Sequence, residues 1–333
     1  MPSFLSDLLT STQWPGSIAI GLAYAAVVLG VFITFRILAF PDLTIDGSFP
    51  LGAAVAAVLL MRFGWNHWST LPAATFAGAV AGATTALLAA RLRINGLLAS
   101  ILVALALNSI NLRILGQGVA ERVPTANLPI AFNAPDVTDI AKGPMRSLLV
   151  DVCLAADECI TPAVADRYAA ILVFLVITAL LVILLHWFLN TELGLALRAT
   201  GDNEQMVRAQ GINPTAMRVI GLALSNGLIA LSGALYARYQ GFADVTLGRG
   251  LIIVGLASVI IGEVVLPPSV LRRALLGAAL GAVLYRVLIT LALNTTGNIG
   301  LQESDLQLIT AVIVIVALAA PQLRRYFAPR RAT

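Results

Sequence analysis

Two carboxylates stand out because of their surroundings. Asp42 and Asp46 lie in the run Pro41-Asp42-Leu43-Thr44-Ile45-Asp46-Gly47-Ser48, between two strongly apolar stretches. A carboxylate at membrane depth costs on the order of a few kcal/mol unless it is hydrated or paired. Pro41, Gly47 and Pro50 interrupt any continuous helix here. Irregular backbone inside a membrane is tolerated only against protein or a watery cavity. Asp42, Thr44, Asp46 and Ser48 therefore read as the polar lining of a translocation path. An interfacial turn, with both aspartates capping the helix that follows, is the other reading, and capping and lining can coexist.

The same pattern returns 202 residues later: Arg36, Phe40, Asp42 and Thr44 recur as Arg238, Phe242, Asp244 and Thr246. Each copy follows an apolar run and precedes a short one containing glycine. With five spans between them, the copies would enter the membrane from opposite sides. Inverted repeats of this kind place a substrate path at their interface, which adds Asp244 and Thr246 to the candidate lining. Asn108 and Asn111, three apart and so on one helix face, either join that lining or bond between helices. Glu263 and Arg286 are candidates for an ion pair across helices. Metal chemistry has little to work with: the chain holds 2 Cys and 2 His and has no zinc-type spacing. No metal and no cofactor is expected.

Elements to hold these groups follow from composition. Of 333 residues, 59% are hydrophobic and 11% charged, against about 25% charged in a soluble domain. That excludes an ordinary globule and a disordered chain, and implies an all-α polytopic membrane protein. About nine apolar runs fit, near 17–40, 50–63, 71–90, 94–115, 168–190, 217–237, 251–266, 271–294 and 306–322. A span needs about 20 residues, so 50–63 and 251–266 read as short or broken helices. The expected organisation is one transmembrane domain over 1–333, with repeat halves at about 15–116 and 217–325. A loop at about 117–166 and a second at about 191–217 connect the spans.

Arginines sit a few at a time between apolar runs rather than on one basic face, which disfavours nucleic acid as a partner. Their count in short loops puts the C-terminus and the 191–217 loop in the cytoplasm. No cleavable signal peptide is apparent, because residues 1–16 carry no Lys or Arg. Cys153 and Cys159 share the long loop on the opposite, oxidising side, where a disulfide is expected. Neither loop can fold a catalytic domain, and Lys142 lies outside any P-loop frame. The chain is therefore expected not to be an enzyme.

In the 191–217 loop, Asp202 with Gln205 three residues on forms a capping-box pattern, and Gly211 is placed to end a helix. The pattern predicts a two-turn helix over about 203–210 exposing Met206, Val207 and Ala209. Eight residues are marginal alone in water, so a docking surface is expected to hold them.

This loop carries a resemblance. Gly194-x3-Arg198-Ala199-x-Gly201-Asp202-Asn203, followed by Gly211-Ile212-Asn213, resembles the coupling loop of ABC importer permeases of the branched-chain amino acid and ribose type. Ala257–Gly262 and Gly277–Ala282 look like that family's later spans. Pro41–Ser48 resembles the branch working with lipoprotein-type binding proteins for amino acids and other small solutes. The likeness covers about 15–325, and Glu263 departs from it where a second glycine is common. It implies an inner-membrane permease subunit paired with a second copy (a homodimer), two cytoplasmic ATPase subunits that consume the ATP, and an extracytoplasmic binding protein. Gly194, Arg198, Gly201, Asp202, Asn203, Met206, Val207 and Gly211 would serve ATPase coupling. The competing class is an ion-coupled secondary transporter, with Asp42 and Asp46 as ion or proton sites.

Overall fold

A computed structural model describes residues 13–118, 123–130 and 162–296. Helix α1 (Gln13–Val31) runs into a π-helical turn (Phe32–Ile37). Helices α2 (Ile45–Met61), α3 (His67–Leu92) and α4 (Gly96–Gly116) follow, then strand β1 (Asn127–Pro129). Next come α5 (Pro162–Leu189) and two short helices, α6 (Glu192–Asp202) and α7 (Glu204–Ala209). The long α8 (Pro214–Gln240) leads into strand β2 (Phe242–Asp244) and a 3-10 turn (Val245–Gly248). Helices α9 (Leu251–Val265) and α10 (Leu271–Thr296) complete the described part.

Among the described residues, six helices are long and apolar enough to cross a membrane: Trp14–Ile37, Trp68–Leu92, Gly96–Gly116, Asp166–Leu189, Pro214–Gln240 and Leu271–Ala292. The expected runs at 50–63 and 251–266 are the short apolar helices Ile45–Met61 and Leu251–Val265. Eight of the nine expected runs thus fall on described helices, six long and two short. The run at 306–322 lies outside the described residues, as do Cys153 and Cys159.

The bundle has a centre and a rim. Along its most apolar stretch α1 is 83% buried and α8 72%, against 28% for α4 and 33% for α5. Outer helices turn Leu98, Val176, Ile183 and other large apolar side chains outward, as lipid contact requires. Between helices, association depends on close packing of small residues. A side chain on Gly52 of α2 would strike the Ala230 carbonyl of α8. On Gly82 of α3 it would strike the Leu222 carbonyl. Helix α8 therefore lies directly against α2 and α3, and α1 packs against α9 and α10. Each copy of the repeated pattern thus sends its long helix onto the other copy's short helix and the span after it.

Polar termini are satisfied locally. Asn66, Asn95 and Asn213 cap α3, α4 and α8 by accepting backbone N–H bonds from Trp68, Leu97 and Thr215. The start of the 117–166 loop is not free chain. Strand β1 pairs antiparallel with β2, setting Asn127 opposite Asp244 and Pro129 opposite Phe242.

Candidate translocation and coupling sites

The two broken segments are built alike. Asp42 accepts the backbone N–H of Thr44 at 2.9 Å, and Asp244 accepts that of Thr246 at 2.6 Å. In both, the aspartate closes a turn two residues long, the local bond that Asp favours over a helix. Each turn joins a long helix to a short one, and the two short helices meet near their N-termini. Asp46, in the first turn of α2, accepts the N–H groups of Gly250 and Ile252 at the start of α9, both at 3.3 Å. Pro50 lacks the N–H that would bond the Asp46 carbonyl within α2. Gly248 of the second copy lies against that carbonyl, where any Cβ would collide.

Asp42, Thr44 and Ser48 occupy a different environment from Asp46. All three are fully buried. Asn226 of α8 donates Nδ2 to Asp42 Oδ2 at 2.7 Å, and its Oδ1 accepts Ser48 Oγ at 2.7 Å. The Thr44 and Thr85 hydroxyls bond at 2.8 Å. This chain of bonds ties the first broken segment to α3 and α8. Buried polar groups at such depth are tolerated because they are paired. Asn226 was not singled out in the sequence. Its signal there, one amide in the Ser-Asn-Gly step of an apolar span, is faint.

An open recess of about 310 Å³ sits beside this cluster, lined by Asp46, Gly47, Asn108, Asn111 and Arg249 with apolar walls that include Ile101 and Leu105. Asn111 is buried; its Nδ2 donates to the Gly47 carbonyl at 3.1 Å, and its Oδ1 has no partner among the described residues. Asn108 is exposed on the same helix face. Arg249, absent from the sequence-based candidates, supplies the cation. Asp244 and Thr246 lie outside the recess lining, and Asp244 is engaged by Asn127 Nδ2 at 3.4 Å.

The predicted Glu263–Arg286 pair does not form. Glu263 binds Arg36, bidentately, with Nε to Oε1 at 2.6 Å. Arg286 instead lies 4.4 Å over the Tyr24 ring, a cation–π arrangement open to it because α10 packs on α1.

In the 191–217 loop, α7 spans Glu204–Ala209, and its cap differs from the expected one. Asn203 accepts the Met206 N–H at 3.0 Å, while Asp202 ends α6. The two residues compete for one position, and α6 runs through Asp202 and leaves Asn203 extended at φ −154°. Gly211 adopts φ +81°. The Gly211 and Ile212 N–H groups return to the Arg208 and Val207 carbonyls, at 3.1 and 3.2 Å, the bonds of a Schellman turn. Val207, expected outside, is fully buried, whereas Met206 is 45% exposed and Ala209 is exposed. A six-residue helix cannot leave every apolar group in water, so one turns inward.

Glu204 pairs with Arg208 within α7 and anchors the helix by pairing with Arg218 of α8. Gly201 of α6 lies against the Ile37 carbonyl at the end of the π-helical turn. Gly194 sits as closely on the Phe188 carbonyl of α5, and Arg198 is half-buried. The loop is thereby fixed to the helix that feeds the Asp42 turn.

A family model described as "Branched-chain amino acid transport system / permease component" matches residues 16–318. The chain belongs to this family. It is 34% identical over 302 residues to the "Tyrosine transport system permease protein" of Clostridioides difficile (strain R20291), covering 91% of this chain and 89% of that protein. It is 29% identical over 298 residues to "Uncharacterized protein RP368" of Rickettsia prowazekii (strain Madrid E), covering 88% of this chain and 92% of that protein. A shorter match, 34% over 107 residues, covers 32% of this chain and 31% of the "Autoinducer 2 import system permease protein LsrC" of Escherichia coli (strain K12 / DH10B). No solved structure matches the chain. A multi-pass transport permease of the branched-chain amino acid and ribose type is thus the established frame.

Proposed function

We propose that this chain is the membrane-spanning subunit of an ATP-binding cassette importer in the inner membrane, carrying a small solute such as an amino acid. A separate extracytoplasmic protein delivers the solute, and two cytoplasmic ATPase subunits supply the energy. The chain itself hydrolyses nothing, pairs with a second copy, and keeps its C-terminus in the cytoplasm. The naming of a relative for tyrosine transport supports an amino acid as the solute class.

One observation carries the coupling part of this reading: the exposed helix α7 is pinned by Glu204 to α8, and its neighbour α6 abuts the π-helical turn through Gly201. A push on α7 is therefore delivered to the broken segment at Asp42. The recess lined by Asp46, Asn108, Asn111 and Arg249 is the proposed stretch of path. Asp42, Thr44 and Ser48 hold its wall rather than face it. Head-to-head contact of α2 and α9 through Asp46 supports reading the two copies as inverted repeats.

Co-purification of the detergent-solubilised chain with its ATPase tests the docking role. Met206→Glu with Ala209→Glu should abolish recovery of the ATPase. Recovery equal to that of the unaltered chain would show that α7 is not the docking element.

A further inference from the structure

A second recess lies at the end of the bundle that carries α6. It encloses about 500 Å³ between the end of α5, the α6 helix and the start of α10. Its lining includes His186, Asn190, Arg198, Ser269 and Arg272, and no carboxylate. Arg198 is half-buried and Arg272 exposed, and neither forms an ion pair among the described residues. Neighbouring polar groups are engaged elsewhere: Asn190 Nδ2 donates to the His186 carbonyl at 2.7 Å, and Ser269 Oγ accepts Arg273 Nη1 at 3.0 Å. Two guanidiniums from separate helices lining one recess, neither in an ion pair among the described residues, suit an anion with several oxygen acceptors.

The surroundings indicate what kind of anion. From the recess, α5 presents an apolar stripe at helical spacing: Trp187 69% exposed, Ile183 64%, Leu180 53% and Val176 59%. Val270, on the opposite wall, is 59% exposed. A basic recess lined by His186 and Asn190 of α5, with an exposed indole and apolar stripe on the same helix, matches a site at the membrane–water boundary. Basic pockets between transmembrane helices take acidic lipid headgroups. We propose that this recess binds the headgroup of an anionic phospholipid, with its phosphate between Arg198 and Arg272 and its acyl chains along Trp187, Ile183, Leu180 and Val176. This site is separate from the solute recess and does not depend on the importer reading.

Native mass spectrometry of the purified full chain, titrated with phosphatidylglycerol and with phosphatidylcholine of the same acyl chains, tests it. The expected result is at least about fivefold more retained phosphatidylglycerol, and loss of that preference in Arg198→Gln/Arg272→Gln. Arg198→Lys/Arg272→Lys should keep most of it, which separates charge from misfolding. On the unaltered chain, phosphatidylglycerol brominated on its acyl chains should quench tryptophan fluorescence more than the choline lipid, and Trp187→Phe should remove the difference. Equal retention of the two lipids, or a preference unchanged in the glutamine variant, would overturn the proposal. So would inorganic phosphate at 10 mM (a roughly tenfold excess over lipid is ample) displacing the bound lipid completely, since the recess would then hold a free anion.

Discussion

Replacing Asn226 with leucine, a side chain of the same branching and heavy-atom count, removes both bonds that its amide makes to the first broken segment. Its Nδ2 serves Asp42 Oδ2 and its Oδ1 serves Ser48 Oγ, each at 2.7 Å, and all three residues are fully buried. A bond to a charged partner contributes about 1.5–3 kcal/mol and a neutral one about 1 kcal/mol. The combined cost is about 3 kcal/mol, because a buried carboxylate and a buried hydroxyl both lose partners. For a chain of this size, with an unfolding entropy of about 2.1 cal/mol/K per residue, that lowers the melting temperature by about 4 °C. Ser48→Ala alone should cost about 1 kcal/mol. The double variant should cost little more than Asn226→Leu, since the serine has already lost its acceptor. Melting followed by size-exclusion fluorescence in one detergent would read all three variants. An Asn226→Leu protein that melts within 1 °C of the parent, or costs that simply add, would refute the idea that Asn226 joins α8 to the first broken segment.

The remaining predictions address packing, capping and the path. Gly52→Ala and Gly82→Ala drive a methyl into the Ala230 and Leu222 carbonyls, and each should lower stability by about 1–3 kcal/mol in the same melting assay. Asn203→Ala should cost α7 about 1 kcal/mol and speed amide exchange at Met206, whereas Asp202→Ala should leave that exchange unchanged. In a background lacking Cys153 and Cys159, cysteine at 108 or 249 should react with a membrane-impermeant thiol reagent, and cysteine at 42 should not. Equal reactivity at all three positions would remove the distinction between wall and path.

Apolar run length alone located the six long helices among the described residues, because runs of that length have few other solutions. Of the expected helix breakers only Pro41 lies in the break; Gly47 and Pro50, expected to interrupt the helix as well, lie inside α2, which runs unbroken from Ile45 to Met61. Tertiary choices were not legible. Nothing local distinguishes Asp42, which is buried against Asn226, from Asp46, which reaches the start of α9. Glu263 was expected to pair with Arg286, and helix packing gave it Arg36 instead. Asp202 and Asn203 are equally good caps by type, and the extent of α6 decided between them. Strand β1 escaped notice because three residues carry no period; it forms only because β2 lies beside it.

ATP-driven uptake by the reconstituted assembly tests the central claim most directly. Proteoliposomes containing this chain, its ATPase and its binding protein would be supplied with radiolabelled amino acid, with ATP on the side of α7. The account predicts uptake that requires ATP and the binding protein, persists when ionophores collapse the ion gradients, and falls at least about tenfold in the Met206→Glu/Ala209→Glu variant, the loss of about 1.4 kcal/mol or more in docking. Uptake that proceeds without the ATPase and stops when the gradients are collapsed would contradict it and make this chain an ion-coupled carrier.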